Sequence, residues 1–389
     1  MENSGTSAGS TLEGTAVKIL QINKLYYPVI GGIETIVRQT AEGINTMAGF
    51  TVDVLVCNDR FKTTAETIHG VFVTKASSIG RLFSMPISIR FISLLNKMWH
   101  RYDVVHIHLP FPLGELALWL IRPKARIVVT YHSDIVRQRL ISSALGWLHT
   151  WVLGHAESIA VSNPNIVGTS PLLKKFREKC TVIPFGVDTR TFHPGSGVAG
   201  NRDEIQKHPG KRIVLFVGRL VYYKGVEYLI RAMQGIDARL VIIGEGPLRQ
   251  RLINEVRADG LEPAVTFLPG QPQEMLADYY RAASVFVLPS IYKSEAFGIT
   301  IIEAMACGLP VISTELGTGT SFVNQDGSTG YVVPPRDSDA IHRALLRLLS
   351  DDTELMKMGK AADGRIRTGF TLQSMLDGYK KLYTRKDDE

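Results

Sequence analysis

The chain has 389 residues, 45% hydrophobic and 21% charged, which is too long for one ordinary core and too apolar for disorder, so two domains are expected. Cys57, Cys180 and Cys307 are odd in number, far apart and without C-x-x-C spacing, which argues against a disulfide framework or a zinc site and for reduced, mostly buried thiols. The net charge of +7 lies wholly in the first half: residues 1–190 carry 20 basic against 13 acidic side chains, and residues 191–389 carry 24 of each. A basic half suits nucleic acid, an anionic membrane surface or an anionic substrate, and equally a plain solvated surface.

Residues 1–16 are Ser/Gly/Thr-rich with no basic n-region and no apolar h-region, so a flexible tail is expected and not a signal peptide. No charge-free apolar run reaches the ~18 residues a bilayer requires, and a cytoplasmic protein is expected. From Val17, "VKILQIN" reads as a strand, "KLYYPVIGG" as a turn and "IETIVRQTAEGI" as a helix. Further strands are predicted at "TVDVLVC", "GVFVTKA", "DVVHIHL", "RIVVTYH", "SIAVS" and "CTVIPFG", with helices between most of them, a pattern that implies a parallel sheet wrapped by helices. Gly31 and Gly32 remove side chains at the first strand-to-helix turn, so backbone N–H groups there can approach a phosphate or a sugar; a plain packing turn explains them equally well. His132 and Asp134 follow "RIVVT" at a strand end, where a histidine can bond a sugar hydroxyl, or stabilise a phosphate if protonated. Arg137 reads as a surface charge.

The stretch Pro194 to Lys211 is rich in Gly, Pro and charge and reads as an interdomain linker. A second alternating series follows, with strands at "RIVLFVG", "ARLVIIG", "AVTFLPG", "SVFVLPS", "PVIST" and "GYVVPP". Two Rossmann-like domains are therefore predicted, with ligands at the carboxyl ends of the strands. In "VLFVGRLVYYKG", Arg219 and Lys224 flank one strand-end loop, and a fork donor with a mobile point charge suits a diphosphate. "GEGP" from Gly244 is a weak Gly-x-Gly signal. "SEAFGITIIEAMACG" places Glu295 in a loop and Glu303 in a short helix stopped by Gly308. A carboxylate among such apolar neighbours costs several kcal/mol to bury unpaired, so Glu303 requires a partner, and the vicinal diol of a ribose or hexose suits it. "DSD" at Asp337 to Asp339 starts a helix and reads as a cap, not a metal site.

From about Val17 to about Tyr383 these residues resemble the retaining glycosyltransferases of family 4, whose GT-B fold sets two Rossmann-like α/β domains, with parallel sheets, facing across a deep cleft. The resemblance rests on the glycine pair with "IE", the strand-end histidine, "GRLVYYKG", "GEGP" and "SEAFGITIIEAMACGLPVI". It implies that Gly31 and Gly32 face the donor diphosphate, that His132 contacts the donor sugar, and that Arg219 and Lys224 hold the diphosphate in place of a metal. It also implies that Glu295 orients the transferred sugar, that Glu303 binds the ribose, and that Phe297, Gly298 and Ile299 lie in the donor loop between them. The implied divisions are an N-terminal acceptor domain over 17–193, the linker over 194–211, a C-terminal donor domain over 212–370, and a helix and tail over 371–389 that can pack back on the first domain.

"YHSDIVRQ" is similar to bacterial mannosyl- and rhamnosyltransferases of lipopolysaccharide O-chain synthesis, which favours a GDP-sugar over a UDP-sugar as donor and a glycan or undecaprenyl-diphosphate-linked acceptor. The nucleotide-sugar is then a substrate; no cofactor, no metal and no nucleic acid are expected. "RLFSMPISIRFISLLNKMWHRY" pairs apolar residues with Arg81, Arg90, Lys97 and Arg101, which allows peripheral association with the inner membrane, although an ordinary core helix is the stronger reading. A GT-B sugar-nucleotide epimerase and a noncatalytic sugar-nucleotide-binding scaffold are the rival readings, and a nicotinamide dehydrogenase is disfavoured by the missing G-x-G-x-x-G fingerprint.

Overall fold

The computed structural model describes residues 16–29, 31–82, 85–133, 139–195 and 210–384. Asp134, Arg137, most of the linker and the terminal tails therefore lie outside the described residues. The first half contains β1 (Val17–Ile22), β2 (Phe50–Cys57), β3 (Thr64–Ile68), β4 (Val71–Ala76), β5 (Arg81–Leu82), β6 (Met85–Pro86), β7 (Val104–Leu109), β8 (Arg126–Tyr131), β9 (Ser158–Val161) and β10 (Cys180–Val182). Its helices are α1 (Gly32–Asn45), α2 (Ile89–Met98), α3 (Pro112–Ile121), α4 (Arg139–His155) and α5 (Pro164–Thr169). The main sheet runs in the order β10-β9-β8-β7-β1-β2-β4-β3, parallel except for the antiparallel edge strand β3, and β5 and β6 form a separate small ladder.

The second half contains β11 (Arg212–Val217), β12 (Ala238–Ile243), β13 (Val265–Leu268), β14 (Val285–Leu288), β15 (Val311–Thr314) and β16 (Gly330–Val333), all parallel, in the order β13-β12-β11-β14-β15-β16. Its helices are α6 (Val226–Ala232), α7 (Arg249–Ala258), α8 (Gln273–Ala282), α9 (Ile299–Ala306), α10 (Gly319–Val323), α11 (Ser338–Ser350), α12 (Asp352–Gly369) and α13 (Leu372–Tyr383). The order of strand addition reverses beside the first strand of each sheet, between β1 and β7 and between β11 and β14. A crevice opens at such a reversal on the carboxyl edge, and the sequence motifs fall at those strand ends.

Local chemistry explains the elements. β7, β12 and β14 are buried along their whole length, as expected of strands covered on both faces. Helix α1 buries Ile36, Val37, Thr40, Ala41 and Ile44 along one stripe, whereas α9, apolar except for Thr300 and Glu303, is buried from Ile301 onward. Asp337 Oδ1 accepts a 2.8 Å bond from Ala340 N and caps α11. The segment 81–102 is not one amphipathic helix: β5 and β6 come first, and α2 turns Phe91, Leu95 and Met98 into the core. Strand β3, "TAETI", has no buried residue, which is why no apolar pattern announced it. Cys57 and Cys307 are buried, Cys180 is partly so, and all three are free thiols.

Helix α13 crosses to the first half. Tyr379 and Tyr383 are fully buried there, the first bonding Thr130 Oγ1 at 2.9 Å and the second His106 Nδ1 at 2.7 Å. Gly43 of α1 leaves room for Leu376, since a Cβ would stand 2.4 Å from its Cδ1.

Candidate active site

The loops after β11 and β14 meet at the reversal of the second sheet. Gly225 has φ +62°, and a Cβ there would lie 2.3 Å from the Pro289 carbonyl oxygen; the loops are also joined by a 2.8 Å bond from Ile291 N to Tyr223 O. This contact sets Lys224 beside the loop that carries Glu295. Lys224 Nζ and Glu295 Oε2 form a 2.5 Å ion pair between two buried side chains, and Ser290 Oγ donates to the same carboxylate oxygen at 3.1 Å. Thr318 Oγ1 donates to the Glu295 carbonyl at 2.8 Å and fixes the backbone. Arg219 is exposed, and its carbonyl accepts from Val221 N at 3.0 Å.

Gly298, with φ +83°, starts α9, and Glu303 lies one turn into that helix. The partner required for Glu303 is Tyr280, whose hydroxyl donates to Oε2 at 2.9 Å. Burial pushes the Glu303 carboxyl up to about 7, against the opposing pulls of the Tyr280 hydrogen bond and the Lys224 charge. Near the start of α9 the Thr300 hydroxyl oxygen is buried with no partner among the described residues. Phe297 does not line an open cleft: its buried ring packs 5.0 Å from Phe185, edge to face, and 6.3 Å from Phe370.

From the first half, Gly31 caps α1 with φ −168° and Gly32 is its first residue. Neither backbone conformation requires glycine, and a Cβ on Gly32 would sit 3.6 Å from Ile299 Cδ1, so the starts of α1 and α9 face each other. Lys24, just past β1, was not singled out in the sequence, since a lysine after a strand carries no pattern of its own. Burial lowers its ammonium below the ordinary value, while Glu34 raises it and Arg81 and Arg219 lower it further, so Lys24 feels Arg219 from the opposite domain. His132 is buried at the end of β8, with its ring 5.3 Å from Phe185. Burial lowers it to about 3, which favours the neutral ring over the protonated form.

Further contacts join the halves around the site. Asn163 Nδ2 donates to Ala296 O at 3.4 Å, Asn165 Nδ2 to Thr318 O at 3.0 Å and Arg38 Nη2 to Gln273 Oε1 at 3.3 Å. Lys224, Glu295 and Ser290 are thus brought into direct contact, Glu303 pairs with Tyr280 and feels the Lys224 charge, and His132 is linked through the rings of Phe185 and Phe297 to the loop before α9. Among the described residues no group of three His, Cys, Asp or Glu side chains converges as metal ligands.

Comparison with known proteins assigns both halves to glycosyltransferases. Residues 30–191 match Glycosyltransferase Family 4 and residues 199–365 match Glycosyl transferases group 1. The chain is 35% identical over 374 residues to O-antigen chain mannosyltransferase C of Escherichia coli, covering 95% of this chain and 98% of that protein. It is 34% identical over 356 residues to D-rhamnosyltransferase WbpZ of Pseudomonas aeruginosa, covering 91% and 92%. Among solved structures, sucrose-phosphate synthase from Thermosynechococcus elongatus superposes with a TM-score of 0.78 at 26% identity, over 94% of this chain and 98% of that one. Anabaena HepE in complex with UDP and glucose superposes at 0.76 with 17% identity, over 94% and 99%, which speaks for the fold alone. Two parallel α/β domains, their site loops at the strand reversals and these relatives together place the chain in glycosyltransferase family 4, with the GT-B fold.

Proposed function

We propose that this glycosyltransferase moves a mannose- or rhamnose-type hexose from a GDP-linked donor to a lipid-diphosphate-linked glycan, with retention and without a metal, in O-antigen or related surface polysaccharide synthesis. The observation that carries the reading is the buried Lys224–Glu295 pair at the strand reversal. Breaking the sugar–diphosphate bond builds negative charge on the leaving phosphate and positive character at the anomeric carbon. Lys224, Arg219 and the N–H groups opening α9 stabilise the phosphate charge, and Glu295 accepts from sugar hydroxyls and holds Lys224 in place. Glu303 accepts from the ribose diol. Neutral His132 bonds the sugar without adding charge. Neither Glu295 nor Glu303 is assigned as a nucleophile, and retention follows from substitution on one face of the sugar.

The names of the two closely matching relatives support a mannosyl or rhamnosyl donor. A membrane-borne acceptor is supported by the rim of the first domain. Tyr27, Val29, Phe61, Ile79, Ile87 and Ile89 are exposed on segments that follow β1, β2 and β4 at the carboxyl edge, where the cleft opens. Exposed Arg60, Lys62, Arg81 and Arg90 are interspersed among them, a composition suited to the cytoplasmic face of an anionic bilayer. Arg60 O accepts from Ser78 N at 3.1 Å and Ile79 N donates to Ile87 O at 2.9 Å, so these segments form one surface.

The test is nucleotide release from a panel of GDP- and UDP-sugars in EDTA, with and without a lipid-linked acceptor. Release from one GDP-sugar, increased by acceptor, is expected. Release from UDP-sugars alone contradicts the donor, activity regained only with a divalent ion contradicts metal independence, and binding without release favours the scaffold reading.

A further inference from the structure

The chemistry above leaves the buried histidines of β7 unused. His106 and His108 are two residues apart and so share one face of the strand. His106 has both ring nitrogens engaged, Nε2 with Thr130 Oγ1 at 2.8 Å and Nδ1 with the Tyr383 hydroxyl at 2.7 Å. His108 is the ring that reaches the site: its Nδ1 lies 3.1 Å from His132 Nε2, with the ring planes 23° apart. Its other nitrogen, Nε2, is buried with no partner among the described residues.

We propose that His108 is a positioning residue that sets the tautomer of His132, keeping the His132 proton on Nδ1 so that this ring presents a hydrogen-bond donor to the transferred sugar. The argument is one of counting protons. Burial lowers the pKa of both rings well below the ordinary histidine value, so each is neutral and carries one N–H and one bare nitrogen. Their contact needs one donor and one acceptor. If His132 Nε2 donates, the proton of His108 must sit on Nε2, as a buried N–H with no acceptor among the described residues. That is the costlier orphan, because a buried donor forfeits its bond to water, whereas an unused lone pair loses less. If His108 Nδ1 donates, only a lone pair is left unused. His132 Nε2 is then the acceptor, and its own proton resides on Nδ1. Reversing the tautomer would turn the sugar-facing donor into an acceptor without moving a heavy atom.

The inference rests on the reading that His132 faces the donor sugar, and its test separates the two. In the full-length protein with 15N-labelled histidine, long-range 1H–15N correlation reads the His132 tautomer directly, with the signal assigned by its loss in His132→Gln. A wild-type signal of the Nδ1–H form is expected. His108→Leu should mix the tautomers and lower kcat roughly ten- to a hundred-fold with little change in KM, the usual scale for partners that orient a working histidine. His108→Asn, whose amide nitrogen falls near the place of Nδ1, should restore both the signal and most of kcat, with thermal unfolding followed for each variant. An Nε2–H signal in wild-type protein overturns the proposal, and so does wild-type kcat in His108→Leu. Absence of turnover with every nucleotide-sugar would instead defeat the glycosyltransferase reading, and the wild-type spectrum would still decide the tautomer.

Discussion

Glu303 sits on a helix whose other side chains are almost all apolar, and the Tyr280 hydroxyl is the neighbour that makes its burial tolerable. Its carboxyl titrates near 7 in the folded protein against about 4.3 in an unfolded chain, so between these values the native state binds more protons than the unfolded state. The resulting contribution to stability is complete below about pH 4 and is lost as pH rises through about 7. Melting temperatures of the ligand-free protein should therefore fall from pH 5 to pH 7 relative to Glu303→Gln, and an identical pH profile for the two would contradict the assignment. Both glutamates were legible in the sequence because a charge in an apolar run is an anomaly that demands a partner. Tyr280 and His108 were not, since their roles depend on which side chains the fold brings beside them.

At the scale of elements, the site depends on how two strand-end loops touch. Gly225 adopts a left-handed conformation against the Pro289 carbonyl, and this contact delivers Lys224 to Glu295. Gly225→Ala adds about 1–2 kcal/mol of left-handed backbone strain, together with a clash against the Pro289 carbonyl. The expected result is a lower melting temperature and a kcat that falls further than KM changes; unaltered kcat would show that the loop contact does not place Lys224. The strands of both sheets were readable because parallel strands covered on both faces are continuous apolar runs. Strand β3 escaped notice because its exposed edge carries no such run, and α2 proved shorter than its segment because Ser88 caps it by accepting from Phe91 N at 3.0 Å.

The whole molecule is tied together by α13, which returns from the second half to lodge Tyr379 and Tyr383 beside Thr130 and His106 of the first. A C-terminal helix that can pack back on the first domain was implied by the family resemblance; the histidine and threonine it meets were not legible. Tyr383→Ala should cost ~3–5 kcal/mol, the usual range for emptying a large aromatic site, and chemical denaturation measures it; a loss below about 1 kcal/mol would mean that α13 is not an integral strut. Part of the basic excess of the first half, Arg60, Lys62 and Arg90, lies on the exposed segments at the cleft rim, where Arg81 is paired with Asp59. Vesicles containing anionic lipid should sediment the protein and neutral vesicles should not, with binding weakened by salt and by Ile79→Ser with Ile89→Ser. Equal binding by that double variant would remove the rim from the membrane reading. The most direct measurement of the central claim is GDP release from GDP-mannose in EDTA by the wild-type protein and by Lys224→Ala. Steady wild-type release that drops about a hundred- to a thousand-fold in the variant is expected, the usual scale for losing a group that stabilises transition-state charge; equal rates in the two proteins would contradict it.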